Sequence, residues 1–522
     1  MAEPTNLALA PRRTFAIISH PDAGKTTLTE KILLAGGAIH IAGEVKARGA
    51  RRHARSDWME LEQQRGISIT SSVMTFEHRG IVFNLLDTPG HQDFSEDTYR
   101  TLTAVDSTIM VLDGAKGIEA QTIKLFEICR LRNIPLMTFI NKMDRDVQDP
   151  FALLDEIAHK LALEVVPINW PIGSGVDFKG CYDMYQKQLL VFGGDTISVK
   201  GVDDPIITQH CGEALHHKLI EDVTLLEAAG QKFDLQSYLE GHLTPVFFGS
   251  ALKNFGVPAL LAALYDHAPG PRPQQAKTRE VNPDENKVTG FVFKIQANMD
   301  PNHRDRVAFV RLCSGTFQRG MKLIQSSNGK PMAVQNPVFF MARDRTLTEE
   351  ARPGDIIGIP NHGKLAIGET LTEGENLIFK GIPSFAPEIL RSVRPKDPMK
   401  IKNMRKGLED LAEEGVIQLF TPIAGGDWIV GVVGQLQLDV LMSRMAAEYK
   451  VEANFGHAGY DTARWLVCDD QAKLQQFINE NRYNIADDLK ACPVFLIRDK
   501  WSLRSAEENW KTIQFKAVRE SF

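Results

Sequence analysis

The run Ser19-His20-Pro21-Asp22-Ala23-Gly24-Lys25-Thr26-Thr27 sets a glycine, a lysine and two hydroxyls in series. A loop of this spacing, closing at a helix N-terminus, cradles phosphate oxygens with its backbone N–H groups. Lys25 would then reach the β and γ phosphates, and the Thr26 hydroxyl would ligate Mg²⁺. Such loops usually open on a glycine, and Ser19 stands there instead. Taken alone, the short core reads equally well as an ordinary helix cap.

Three further clusters have chemistry that fits the first. In Asp87-Thr88-Pro89-Gly90-His91, a strand-end carboxylate can hold Mg²⁺ through water, and the Gly90 N–H can meet a γ-phosphate. By itself this is a turn signal. In Asn141-Lys142-Met143-Asp144, the aspartate can accept from both guanine N1–H and the exocyclic amine. Adenine offers no such donor pair, and a buried carboxylate left unpaired discriminates strongly. Ser250-Ala251-Leu252 would supply backbone contacts to the guanine oxygen, a weak signal on its own.

The elements that must position these clusters are legible as apolar runs. Strands are expected at 14–19, 81–86, 107–112, 134–140 and 245–248, with a helix over 119–132. Apolar strands alternating with helices predict a mostly parallel sheet with helices on both faces. Each cluster follows such a strand, or the 14–19 strand in the case of the first. Ligands bind at that edge of an open α/β sheet. The four together predict a guanine-nucleotide site. The run 268–273 (APGPRP) breaks the pattern and reads as a linker, polar to about 287. Period two follows, with Phe291, Phe293 and Ile295 on one strand face and Ala308, Val310 and Leu312 on another. Glycine-rich turns at 314–320 and 353–358 fit a small antiparallel barrel. Met404, Leu408 and Leu411 then share a helix face, as do Leu438, Leu441, Met442 and Met445, so 391–522 reads as α+β.

The chain has 522 residues, enough for three or four domains, with 43% hydrophobic and 24% charged residues. These values exclude collagen, coiled-coil and wholly disordered classes. A net charge of −6 excludes a strongly basic nucleic-acid coat, though not local basic surfaces. No run approaches the ~18 apolar residues of a membrane helix. Met1 to Arg13 has no apolar core or cleavage site, so no leader is expected. The six cysteines are scattered without a C-x-x-C pair, which predicts neither zinc nor disulfides and suits a reducing cytoplasm.

On these motifs, residues 12–270 resemble the GTPase domain of the translational GTPases. Arg65-Gly66-Ile67-Ser68-Ile69-Thr70 resembles that family's first switch. The match by position implies that Ser68 is a Mg²⁺ ligand beside Thr26 and Asp87, with Thr70 as the other candidate. It implies that His91 positions the attacking water. The long insertion opened by Gly173-Ser174-Gly175 and Phe178-Lys179-Gly180 is similar to the extra subdomain of elongation factor G. The implied division is a GTP-binding domain over 11–275 with its inserted subdomain at about 172–245, a β-barrel over 276–390, and an α+β domain over 391–522. The barrel carries Pro353-Gly354-Asp355 in a typical place.

The S-H-P-D-A-G-K-T and Q-Q-R-G-I-S-I-T runs, with a C-terminal part shorter than elongation factor G's, resemble the GTP-binding peptide chain release factors of bacteria. This implies a ribosome-stimulated GTP hydrolase, using GTP/GDP and Mg²⁺, that drives class I release factors off the ribosome after peptide release. It also implies a cytoplasmic monomer, partnered by rRNA and ribosomal proteins and by no membrane. No arginine finger is identifiable, so hydrolysis by the isolated protein should be slow. Two basic clusters could meet rRNA phosphates: Lys46, Arg48, Arg51, Arg52 and Arg55, and Arg391, Arg394, Lys396, Lys400, Lys402, Arg405 and Lys406. Either is equally a solvated face. The alternatives are an elongation or ribosome-protection GTPase, a P-loop metabolic kinase, and a non-hydrolysing scaffold. The N-K-M-D box argues against the kinase. Intact Lys25, Asp87 and His91 argue against the scaffold.

Overall fold

The computed structural model describes residues 11–39, 70–297, 306–340, 345–361, 363 and 365–520. Ser68 and the Lys46–Arg55 basic cluster lie outside them.

The apolar runs become a seven-stranded sheet. Its strands are β1 (Arg12–Ser19), β2 (Ser72–His78), β3 (Ile81–Asp87), β4 (Ser107–Asp113), β5 (Leu136–Asn141), β6 (Glu164–Pro167) and, after an insertion of four further strands, β11 (Leu243–Phe248). The order is β2-β3-β1-β4-β5-β11-β6, and only the β2–β3 pairing is antiparallel. Alternation along each strand feeds two cores. Ala16, Ile18, Met110 and Leu112 face one, while Phe15, Ile17, Ile109 and Val111 face the other. Helices Ala120–Leu131 and Pro150–Leu161 cover the first face through Leu125, Phe126, Leu153 and Ile157. Helices Lys25–Ala35 and Val257–His267 cover the second through Leu28, Ile32, Leu260 and Leu264. Both faces of a parallel sheet are thereby buried.

Between β6 and β11 lie β7 (Asn169–Ile172), β8 (Gly180–Asp183), β9 (Gln188–Val191) and β10 (Thr196–Ser198), which form an antiparallel sheet in the order β10-β9-β8-β7. Helices Pro205–Cys211 and Glu213–Ala229 follow it.

The proline-rich run after Ala268 is not a free tether. The Arg272 backbone N–H donates to Asp106 Oδ1 at 3.0 Å, and its guanidinium reaches Asn133 O at 2.7 Å. Beyond it, eight antiparallel strands place their inward residues in one core containing Val310, Leu323, Ile357 and Leu371. The expected barrel is a sheet curved round that core, with no ladder joining its end strands among the described residues. Ala308, Val310 and Leu312 share this core as expected. Phe291, Phe293 and Ile295 do not share a face. A bulge at Phe293 shifts the register, so Ile295 joins Val292 in the inner core while both phenylalanines pack outside it.

The C-terminal module is another eight-stranded antiparallel sheet, its first strand starting at Ile389. Helices Ile401–Glu413 and Gln435–Tyr449 pack on it through Met404, Leu408, Leu411, Leu438, Leu441 and Met445. Met442, expected on that face, is 41% exposed and lies outside the core that Leu438, Leu441 and Met445 join. All six cysteines are free thiols, five of them buried. Among the described residues, no helix is long and apolar enough to cross a membrane.

Candidate nucleotide site

β1 ends at Ser19, and the chain turns through Asp22 and Gly24 before helix Lys25–Ala35 begins. Both turn residues are left-handed, with φ of 65° and 96°. A Cβ on Gly24 would lie 2.3 Å from Asn141 Nδ2, so conformation and space both call for glycine there. The turn aims the helix N-terminus into a cleft of about 340 Å³ at the C-terminal edge of the sheet. That volume lies in the range of small-molecule sites.

The cleft collects most of the expected residues. From the first cluster Ser19, His20, Pro21, Asp22, Gly24, Lys25, Thr26 and Thr27 line it. Gly90 and His91 come from the second, Asn141, Lys142 and Asp144 from the third, and Ser250 and Leu252 from the fourth. Ala23, Asp87, Thr88, Pro89, Met143 and Ala251 stand behind this lining as support. Thr88 Oγ1 donates to Ile17 O at 2.7 Å, tying the second cluster to β1.

Asn141 joins the other three segments. Its Nδ2 donates to Ala23 O, and its Oδ1 accepts from Lys142 N and Ala251 N, each at 2.8 Å. The Ala251 amide, expected to be open to the base, is thus engaged by Asn141 in this arrangement. Lys142, at φ 71°, sends Nζ to Asp22 O at 2.6 Å and to Asp113 Oδ2 at 2.8 Å. Asp113 falls outside the four clusters, although its place at the end of β4, on the same sheet edge, is a usable signal. Burial alone would raise its carboxyl, but the bonds from Lys142 and Ala115 outweigh that and hold it below the ordinary value.

Lys25 Nζ is paired with Asp87 Oδ1, both buried. Asp87 Oδ2 is buried with no hydrogen-bond partner. A lone carboxylate oxygen beside a phosphate loop fits a hydrated divalent cation, which also has Thr26 on the cleft wall. Among the described residues no cluster of three His, Cys, Asp or Glu could hold a metal. Thr70 lines a different, small pocket with Phe94, Asp97 and Lys294.

His20 sits under the loop, 1% exposed, with Nε2 3.2 Å from Glu119 Oε2. Burial pushes the imidazole down, against the attraction of Glu119, so it is neutral near pH 7. His91 is one-third exposed, and its Nδ1 accepts from Asp93 N at 3.2 Å.

The family model of the elongation factor Tu GTP binding domain matches residues 10–270. The chain belongs to the translational GTPases. Elongation factor G domain 2 matches residues 287–374, and the class II release factor RF3 C-terminal domain matches 379–507. The GTPase is therefore of the release-factor type. It also resembles a protein of Thermus thermophilus known from its crystal structure, with TM-score 0.69 and 24% identity over 85% of this chain and 67% of that one. A likeness at that identity shows the fold alone.

Proposed function

We propose that this GTPase acts on the ribosome in translation termination, where GTP binding and hydrolysis drive dissociation of a class I release factor after peptide release. What carries this reading is the release-factor C-terminal domain on the same chain as an intact guanine-nucleotide cleft. The protein works as a monomer in the cytoplasm.

In this mechanism Lys25 exchanges Asp87 for the β and γ phosphate oxygens. Asp144 accepts from guanine N1–H and the exocyclic amine, while Leu252 and the Lys142 stem flank the base. Thr26, Asp87 and Ser68 would hold Mg²⁺, which when bound neutralises charge on the phosphates. The loop N–H groups and the Gly90 amide fix the γ-phosphate. His91, with Nδ1 engaged by Asp93 N, keeps Nε2 for the attacking water. Catalysis is thus positioning plus electrostatics.

The test is phosphate release from GTP with and without ribosomes, alongside the off-rate of a labelled class I factor from post-termination ribosomes and tRNA translocation. A faster off-rate with GTP and no translocation is expected. An unchanged off-rate with stimulated translocation would instead make it an elongation-type factor.

A further inference from the structure

We propose that Asp93 is the positioning residue through which the C-terminal module sets the orientation of His91. The proposal rests on the reading of His91 as the water-orienting residue.

Asp93 lies two residues after His91 in the short 3₁₀ turn Gln92–Phe94 and is 7% exposed. It joins two domains: its backbone N–H donates to His91 Nδ1 at 3.2 Å, with Oδ1 3.3 Å from the same nitrogen, and its Oδ2 accepts the backbone N–H of Leu436 at 2.8 Å. Leu436 belongs to the first turn of helix Gln435–Tyr449, where backbone N–H groups have no partner within the helix. A carboxylate there also gains from the helix dipole. The N-cap of that helix, Gly434, has no side chain to do this work, so the cap comes from another domain, 343 positions away.

Gly434 shows that the contact is built rather than incidental. Its backbone is extended, at φ −145° and ψ 168°, which any residue adopts. The missing side chain is therefore not a conformational need. A Cβ would lie 2.0 Å from Asp93 Cγ and 2.1 and 2.2 Å from the two oxygens. The glycine makes room for the carboxylate.

The helix that follows, Ser95–Leu102, is tied to the same module. Arg100 donates to Gly415 O at 3.1 Å, and Glu96 Oε1 accepts from Gln418 Nε2 at 2.9 Å and Phe385 N at 3.2 Å. The segment carrying His91 and the C-terminal module therefore move as one unit while docked. Undocking withdraws Leu436 from Asp93 Oδ2 and loosens the turn whose Asp93 backbone N–H holds His91 Nδ1. Docking is thus a condition for hydrolysis, separate from nucleotide binding.

The experiment uses the full chain and five variants: Asp93→Ala, Asp93→Asn, Gly434→Ala, the Asp93→Ala/Gly434→Ala double and His91→Ala. Amide hydrogen exchange is read at Leu436, against β1 amides that must stay protected in a folded variant. Single-turnover GTP hydrolysis and GTP affinity are measured beside it. Asp93→Ala should speed Leu436 exchange by about five- to ten-fold, the scale of losing one N-cap. Hydrolysis should slow by a similar factor, with GTP affinity unchanged. Asp93→Asn keeps an oxygen for Leu436 and should rescue most of both. Gly434→Ala should mimic Asp93→Ala, and the double variant should be no worse than either, since both remove one contact. Equal Leu436 exchange in the wild type and Asp93→Ala would overturn the proposal, as would additive effects on hydrolysis. Normal hydrolysis in His91→Ala would remove His91's role alone and leave the exchange result to decide the cap.

Discussion

Asn141 holds the candidate site together more than any phosphate-facing residue does. Replacing it by Ala orphans Ala23 O, Lys142 N and Ala251 N at once. Each buried orphan costs about 1–3 kcal/mol, so Asn141→Ala should lower stability by at least about 2 kcal/mol and weaken GTP binding. Urea unfolding and nucleotide titration check this; wild-type values in both would show that Asn141 is not the joint. Asp144→Asn should behave differently. It replaces a double acceptor with a group that also donates, so preference should move from guanine toward xanthine nucleotides at near-normal stability. Unchanged GTP affinity would remove Asp144 from base recognition. The residue types at both positions were readable from sequence. The Lys142–Asp113 pair was not, because it depends on two strand ends 29 positions apart meeting on one edge.

At the scale of elements, the site is the meeting of a helix start with a strand end. Gly24 and Asn141 touch there, and the glycine is also left-handed. Gly24→Ala should cost about 2–4 kcal/mol from backbone strain and overpacking together, and should abolish tight GTP binding. A variant that binds GTP normally would show that this approach is not required. The strands themselves follow from apolar runs within two residues of their expected limits. The Phe293 bulge was invisible, since period two continues through the residues and only the pairing partner reveals the extra one.

At the scale of the molecule, the nucleotide domain and the antiparallel sheet after it share buried charges. Arg311 pairs with Asp106 at 2.5 Å, and Arg12 with Asp355 at 3.1 Å. The Gly354 carbonyl accepts from Thr14, Asn84 and Arg311. Removing one partner of a buried pair costs about 3–5 kcal/mol. Arg311→Ala should therefore destabilise by that amount in urea unfolding, with both domains loosening together; a loss under about 1 kcal/mol would mean the pair is dispensable. Stability should also depend on pH. Burial lowers the imidazoles of His20, His78 and His267 from the ordinary 6.5. The unfolded chain then takes up their protons first as pH falls. Their contribution is full above about pH 6.5 and is lost as pH drops through the lower folded values. The urea midpoint should be lower at about pH 5.5 than at about pH 7.5, and the drop should shrink in His20→Gln. A midpoint that rises on acidification would contradict this sign.

The sequence by itself determined which residues line the cleft and the strands that deliver them. Both rest on local rules: a glycine where φ is positive, a lysine and a hydroxyl at a helix start, apolar runs where a strand is buried on both faces. The order of the clusters along the chain then placed them on one sheet edge. Tertiary structure alone decided what those residues touch. Asp93 reads as one more polar residue after a turn until Leu436 and Gly434 arrive from a module more than three hundred residues away. Such contacts depend on how separately folded units pack, and packing leaves no period in the sequence to read.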